Sequence, residues 1–369
     1  MPSQVLRRVD QPRAWQDAPA SLLCLMAIKE KTAQAEEGGM EFLSLSTACP
    51  DVVGKLLRHE ARLWHDRLGW DTTGLQRVLY QAVCRRTLPG ILARDGDRPA
   101  GLAYYTTEGG RGVLGTLVVA QRYRNTSVGQ QLAHAVVGKM HGGGALRRVE
   151  SHTPFAGESG AGSAFRALGF KGVPRLFLTK PLATVSRSSV PDGIAIEPLD
   201  PRRRHLAAEV IYSSMAGSRD AALSAEFESV DGCQRHLETL MIWPGLGRFE
   251  QAASAIATNG QGHAIGVIAT TLLSRTRALV GQISVRPEYQ ARGVGHALMS
   301  HAWEALAAMG IEDVTLTVTE ENPARDWYFR LGFRELHSFD AYVWREGDST
   351  ESPQRCVEAT TRLRQLTTP

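Results

Sequence analysis

Two distant stretches of the chain can be laid on one another without a gap. VAQRYRNTSVG at 119–129 aligns on VRPEYQARGVG at 285–295, placing Val119 on Val285, Tyr123 on Tyr289, Val128 on Val294 and Gly129 on Gly295. Further on, FRALGF at 165–170 aligns on YFRLGF at 328–333. The predicted elements around these pairs follow the same order. The chain therefore carries an internal duplication, and each repeat must fold as a unit of one architecture. Its 369 residues leave room for two units of ordinary domain size.

In the first repeat, alternation and helical periodicity predict a strand from Met40 and helices over 50–68 and 73–86. Strands follow over 90–94, 100–106 and 113–120, then a helix over 128–140, a strand over 147–152, a helix over 163–168 and a last strand over 175–179. The second repeat reads as a strand over 195–198, helices over 201–214 and 232–242, and a hairpin of 254–258 with 264–273 across Asn259-Gly260-Gln261-Gly262. It continues with a strand over 278–285, a helix over 293–309, a strand over 313–319, a helix over 323–331 and a closing strand pair within 335–345. The fold class is α/β (α+β): two tandem units, each a mixed, mostly antiparallel sheet flanked by helices. The boundaries predicted are a disordered leader over 1–39, a first domain over 40–181, a Ser-rich linker over 182–192, a second domain over 193–346 and a polar tail over 347–369. Translation from Met26 or Met40 would fit such a leader.

The second copy of the repeated segment carries the chemistry. Its strand ends at Arg286-Pro287, a short loop follows, and a helix opens at Gly293. The first-turn N–H groups of a helix have no intrahelical partner, and the helix dipole adds positive charge beside them. Gly293 and Gly295 lack a Cβ, so a phosphate can come close to the backbone, and Arg292 adds a full charge. A Rossmann loop uses similar parts. It also needs a third glycine and an acidic residue about 20 positions on, and the hairpins before this loop predict a mixed sheet instead.

Composition narrows the classes. A net charge of +4 suits an anionic ligand without arguing for nucleic acid. Five scattered cysteines, none at CxxC spacing, give neither a disulfide framework nor a zinc site, and fit a reducing cytoplasm. The eleven histidines form no HxH or HxxxH pair, so no metal is expected. No apolar run approaches the ~18 residues of a membrane helix, so no membrane partner is expected either.

The spacing Gln290-x-x-Gly293-x-Gly295, followed by ARDWYFRLGF at 324–333, resembles the two signatures of the GNAT (Gcn5-related N-acetyltransferase) family. A tandem GNAT layout, like that of mycothiol synthase, is what the duplication then implies. The resemblance implies acetyl-CoA as acyl donor, with its pyrophosphate on Gln290, Ala291, Arg292, Gly293, Val294 and Gly295. It lays pantetheine along the backbone of Ile283, Ser284 and Val285, and makes Tyr328 the acid for the departing thiolate. The family often sets an Asn seven residues before that tyrosine. Here Glu321 holds that position and Asn322 follows, either as a pantetheine contact or as the cap of the next helix. The family's base has no fixed position. Glu226, Glu228, Asp231 and Glu250 lie in the substrate-facing part of the second repeat, and none is singled out.

The first repeat departs from the pattern. Ser127 replaces the loop glycine, Arg124 stands where Gln290 does, and Phe165 replaces Tyr328. A phenyl ring donates no proton, so this repeat is expected to be structural or to shape the substrate site, with a second CoA site or a second activity as the alternative. The function expected is acetyl transfer to a primary amine, with a small-molecule acceptor favoured over a protein. A non-catalytic acyl-CoA sensor is the alternative.

Overall fold

The computed structural model describes residues 39–184 and 189–348. The leader before Gly39, part of the linker and the tail after Asp348 lie outside the described residues. The first repeat runs β1 (Met40–Ser44), α1 (Pro50–Leu68), α2 (Thr73–Cys84), β2 (Gly90–Asp95), β3 (Arg98–Glu108), β4 (Arg111–Val119), α3 (Val128–Gly142), β5 (Arg148–Ser151), α4 (Ala161–Ala167) and β6 (Lys171–Pro181). The second runs β7 (Ile194–Pro198), α5 (Arg204–Met215), α6 (Arg219–Leu223), α7 (Val230–Ile242), β8 (Arg248–Phe249), β9 (Ala255–Asn259), β10 (Ala264–Leu272), β11 (Arg277–Val285), α8 (Val294–Ala308), β12 (Asp313–Thr319), α9 (Ala324–Arg330) and β13 (Arg334–Arg345).

Local rules account for much of this. Helix α1 opens on Pro50 at its first turn with Asp51 beside it, carries His65 and Arg67 in its last turn, and closes on Gly69 at φ +62°. Strand β10, AIGVIATTL, is buried along nearly its whole length because helices cover both faces. On one face of the second sheet lies the α8 cluster with Leu298, Leu316 and Val318. On the other lies the α5–α7 cluster with Ile211, Leu237 and Val267.

The strands form one sheet in the order β1-β2-β3-β4-β5-β13-β6-β12-β11-β10-β9-β7, with β8 paired to β10. Each repeat is mostly antiparallel, with one parallel pair: β4 with β5 and β11 with β12. The two repeats have exchanged their last strands. β6 of the first repeat lies along β12 of the second, Arg175 opposite Thr319. β13 of the second lies along β5 of the first, Tyr342 opposite Ser151. β6 and β13 then pair antiparallel with each other. The strand pair expected within 335–345 is thus a single strand. RELHSFDAYVWR has no glycine, proline or asparagine to turn on, and the other repeat supplies its neighbours.

A buried charge cluster also joins the repeats, with Arg148 of the first reaching Glu228 of the second at 2.6 Å. Glu150 on β5 is fully buried. It pairs with Arg148 and with Arg111 at 2.5 Å, and accepts the N–H of Ala225 from the second repeat at 2.9 Å. Burial alone would raise its carboxyl, but His152, these two arginines and the Ala225 N–H hold it down to about 2.

Candidate active site

In both repeats the parallel strands start together and then part. β4 pairs with β5 only over Arg111–Leu114, and β11 with β12 only over Arg277–Leu279. A bulge sits at each parting. Gly115 has no partner between Leu114 and Thr116, and Gly281 has none between Val280 and Gln282. A Cβ at Gly281 would lie 2.5 Å from Leu240 Cδ2, so the close approach of α7 needs glycine. A bulge bends its strand and increases local twist, which here opens a gap beside β11. Among the described residues no strand pairs with the gap-side edge of Ile283, Ser284 and Val285, while the opposite edge pairs with Gly266, Val267 and Ile268.

At the end of β11 the loop to α8 is shaped for an anion. Gly293 is the N-cap of α8 at φ +84°, and Ala291 stands at φ +56°. Gln290 Nε2 donates to the Val285 carbonyl at 3.0 Å and ties the loop to its strand. Arg292 lies over the Tyr289 ring at 5.6 Å, and Asn259 donates to the Tyr289 hydroxyl at 3.0 Å. Residues 290–293 are exposed. The backbone N–H groups of Val294 and Gly295 meet no acceptor among the described residues.

The gap has polar walls on the face away from α8. Along β11, Ile283 and Val285 pack toward α8, so Gln282 and Ser284 point the other way. Gln282 Oε1 is 3.1 Å from His236 Nε2 on α7, Gln282 Nε2 donates to Ser284 Oγ at 2.9 Å, and His236 Nδ1 is 3.3 Å from Glu226 Oε2. Arg111 of the first repeat reaches the other Glu226 oxygen at 3.5 Å. Burial raises the Glu226 carboxyl, but His236 and Arg111 outweigh it and hold it below the ordinary range.

On the facing wall, Thr317 and Thr319 of β12 alternate with the α8-facing Leu316 and Val318. Asp220 on α6 is buried and accepts from Thr319 Oγ1 at 2.6 Å and from Asn322 Nδ2 at 2.5 Å. Tyr328 on α9 is buried near it, its ring against Trp327 at 5.1 Å and Phe333 at 5.8 Å. Burial, and then the Asp220 charge, push the Tyr328 hydroxyl well above the usual phenol range, so it keeps its proton. The amide of Asn322 has work at both ends: Oδ1 caps α9 through the Ala324 N–H at 2.8 Å, and Nδ2 holds Asp220.

Residues 56–170 match the acetyltransferase (GNAT) family and residues 251–335 an acetyltransferase (GNAT) domain. The chain is a tandem GNAT protein. Acetyl-CoA is the acetyl donor of acetyltransferases of this family. A mycothiol acetyltransferase of Actinosynnema mirum is 26% identical over 264 residues, covering 69% of this chain and 84% of the relative. The likeness to a mycothiol enzyme, expected in layout alone, extends to sequence. A GCN5-related N-acetyltransferase from Sphaerobacter thermophilus superimposes with a TM-score of 0.59 at 15% identity, covering 83% of this chain and 95% of that one. A tandem GNAT protein from the clavulanic acid biosynthesis pathway superimposes at 0.57 with 16% identity, covering 84% of this chain and 100% of that one. Both share the fold.

The first GNAT unit keeps the bulge but has filled its gap and its cradle. A Cβ at Gly129 would lie 1.9 Å from the Ser159 carbonyl oxygen, so the segment around Ser159 occupies the approach to the α3 N-terminus. The Val128 N–H is already bound to Thr126 Oγ1 at 3.3 Å. Arg124, aligned with Gln290, faces Glu158 at 3.6 Å. Glu60, Trp64, Thr116 and Phe155 line what remains of the gap, a space for about one water molecule. Phe165 is fully buried among Phe170 and Tyr342.

Glu60 gives this plug a pH signature. Burial pushes its carboxyl up despite hydrogen bonds from Thr116, Trp64 and Gln76. A raised folded value favours the protonated form. The stability it gives is complete below the unfolded value, about 4.3, and is lost as pH rises through the folded one. Glu60→Gln keeps the shape without the titration. The variant is expected to melt about 2 °C or more above the parent at pH 8, with the difference shrinking toward pH 5. Equal melting temperatures at pH 8 would show that Glu60 is not strained.

Among the other sequence-level candidates for a base, Glu228 pairs with Arg148 at 2.6 Å, and Glu250 pairs with Arg248 at 3.1 Å. Asp231 is exposed. The 243–249 loop, a candidate pocket wall, packs against Gly74 and pairs with the far end of β10, away from the 290–295 loop. Sequence reasoning missed Asp220, His236, Gln282 and Arg175. A signal for one existed: His236 interrupts the apolar stripe Cys233, Leu237 and Leu240 of α7. Among the described residues no helix is long and apolar enough to cross a membrane, and no group of three or more His, Cys, Asp or Glu could hold a metal ion.

Proposed function

We propose that the protein is an N-acetyltransferase that moves an acetyl group from acetyl-CoA directly to the primary amine of a small molecule, and that the second repeat does the work. One observation carries this: the repeats share a bulge and a parting of strands, but only the second leaves its cradle open. The mycothiol acetyltransferase likeness supports a small acceptor.

In this proposal the Val294 and Gly295 N–H groups, with Arg292 and the 290–293 loop, take the pyrophosphate. The edge of Ile283–Val285 that no strand covers takes pantetheine in the manner of an added strand, and its backbone groups polarise the thioester carbonyl. His236 Nε2 accepts the proton that the amine sheds as the C–N bond forms. Glu226 holds Nδ1–H, fixing the tautomer. The Gln282 amide can turn to match either state, since the Ser284 hydroxyl donates or accepts. Tyr328 Oη supplies the proton to sulfur as the C–S bond breaks. A thiol of pKa about 8.5 leaves readily, so modest proton donation suffices.

Calorimetric titration of acetyl-CoA into the full chain is expected to give one site. Tyr328→Phe should bind acetyl-CoA as the parent does while kcat falls about tenfold or more. Absence of acetyl-CoA binding would sink the proposal. An unchanged kcat would remove Tyr328 as the acid.

A further inference from the structure

Arg175 belongs to the first repeat by sequence and to the second by position. It lies on β6, opposite Thr319 of β12 on one side and Phe339 of β13 on the other. Its neighbours Leu176 and Leu178 pack into the α8 cluster. By alternation Arg175 therefore stands on the other face, with Thr317 and Thr319. That is the face of the gap that also carries Gln282, His236 and Asp220.

The guanidinium there has more donors than partners. Nη2 donates to Thr317 Oγ1 at 3.3 Å, and this is its one hydrogen bond among the described residues. Nε is shut off from solvent and bonds to nothing among the described residues. Burial lowers the group's hold on its proton, and only the Asp220 charge works the other way. Asp220 does not complete the pair: its oxygens bond Thr319 and Asn322, and no ion pair joins it to Arg175 among the described residues. Arginines elsewhere in the interior are treated differently. Arg148 engages Glu150, Glu228 and the Ala222 carbonyl. Arg277 engages Asp313 at 2.9 Å and the Leu68 carbonyl at 2.7 Å. Arg175 as a whole is partly exposed, but its Nε is cut off from water, and a cation with an empty desolvated donor is disfavoured unless an anion completes it. A planar guanidinium suits a carboxylate, which it can take through two parallel bonds.

We infer that Arg175 seats a carboxylate of the acceptor, so that the substrate is a small amine that also bears a carboxylate. The inference rests on the acetyltransferase reading above and names its substrate class. The amine would lie toward His236 and Tyr328, with the carboxylate on the β6–β12 wall. A first-repeat residue would then select the substrate of the second repeat's reaction.

The test uses the full chain with acetyl-CoA and three matched pairs: glycine with methylamine, β-alanine with ethylamine, and 4-aminobutanoate with propylamine. Thermal stabilisation and acetylation rates are measured for each member. At least one carboxylate-bearing member is expected to stabilise the protein and to exceed its partner in kcat/KM by tenfold or more. Arg175→Met should bring that ratio close to one, while calorimetry shows unchanged acetyl-CoA affinity. Arg175→Lys should restore part of the preference. Equal responses to both members of every pair, no response to any carboxylate, or a preference that survives Arg175→Met would each overturn the inference. Loss of acetyl-CoA binding in the parent chain would instead overturn the acetyltransferase reading beneath it.

Discussion

Gly293→Glu is expected to abolish acetyl-CoA binding in the intact chain, with a loss of at least ~100-fold in affinity. Gly293 sits at φ +84° and caps α8. An L residue there costs about 1–2 kcal/mol. A Cβ would also press on Pro191 Cγ at 3.1 Å. Charge weighs more than either. A carboxylate about 4 Å from a phosphate oxygen near a protein surface costs about 4 kcal/mol, and each 1.4 kcal/mol is about tenfold in affinity. Ser127→Glu provides the control, since Ser127 is the aligned residue of the first repeat and stands in ordinary helical backbone. It should leave the titration unchanged. Undiminished binding by Gly293→Glu would take the pyrophosphate away from this loop. Loss of binding in Ser127→Glu would move it to the first repeat.

His236→Gln should lower kcat by about 10²–10⁴-fold, the usual range for loss of a general base. Glutamine can hydrogen-bond toward Glu226 and Gln282 but cannot take a proton near neutral pH. Acetyl-CoA affinity should stay within about twofold. The rate can be followed through free CoA thiol released in the presence of an amine the parent accepts. A variant within tenfold of the parent would exclude His236. Asp220, on the facing wall, would then be the group to replace.

The order of elements was legible because each strand and helix carries its own period and its own stops. The strand over 313–319 and the helix over 50–68 agree with the structure to the residue. Most other ends differ by one to three. What could not be read is which strands are neighbours. In β6, Leu176 and Leu178 alternate with Arg175 and Thr179, which specifies two faces and says nothing of the edges. The repeats descend from one unit, so either last strand suits either sheet.

The site divides in the same way. The loop 290–295 and Tyr328 were visible because their chemistry is local in sequence. Asp220 lies on a helix of five residues, too short to show a period. It acquires meaning only when Thr319 and Asn322 close on it. Arg175 looks like any strand arginine until β6 is seen crossing into the other half.

That crossing also sets the order of events as the protein is made. β6 emerges from the ribosome when neither of its neighbours, β12 and β13, has been synthesised. Until the last strand is out, the first half holds an edge at β5 without its native partner. The nascent chain must keep both surfaces from foreign strands for the time it takes to add the remaining residues. The two halves share one ancestry and then one closing step, and neither reaches its native sheet ahead of the other.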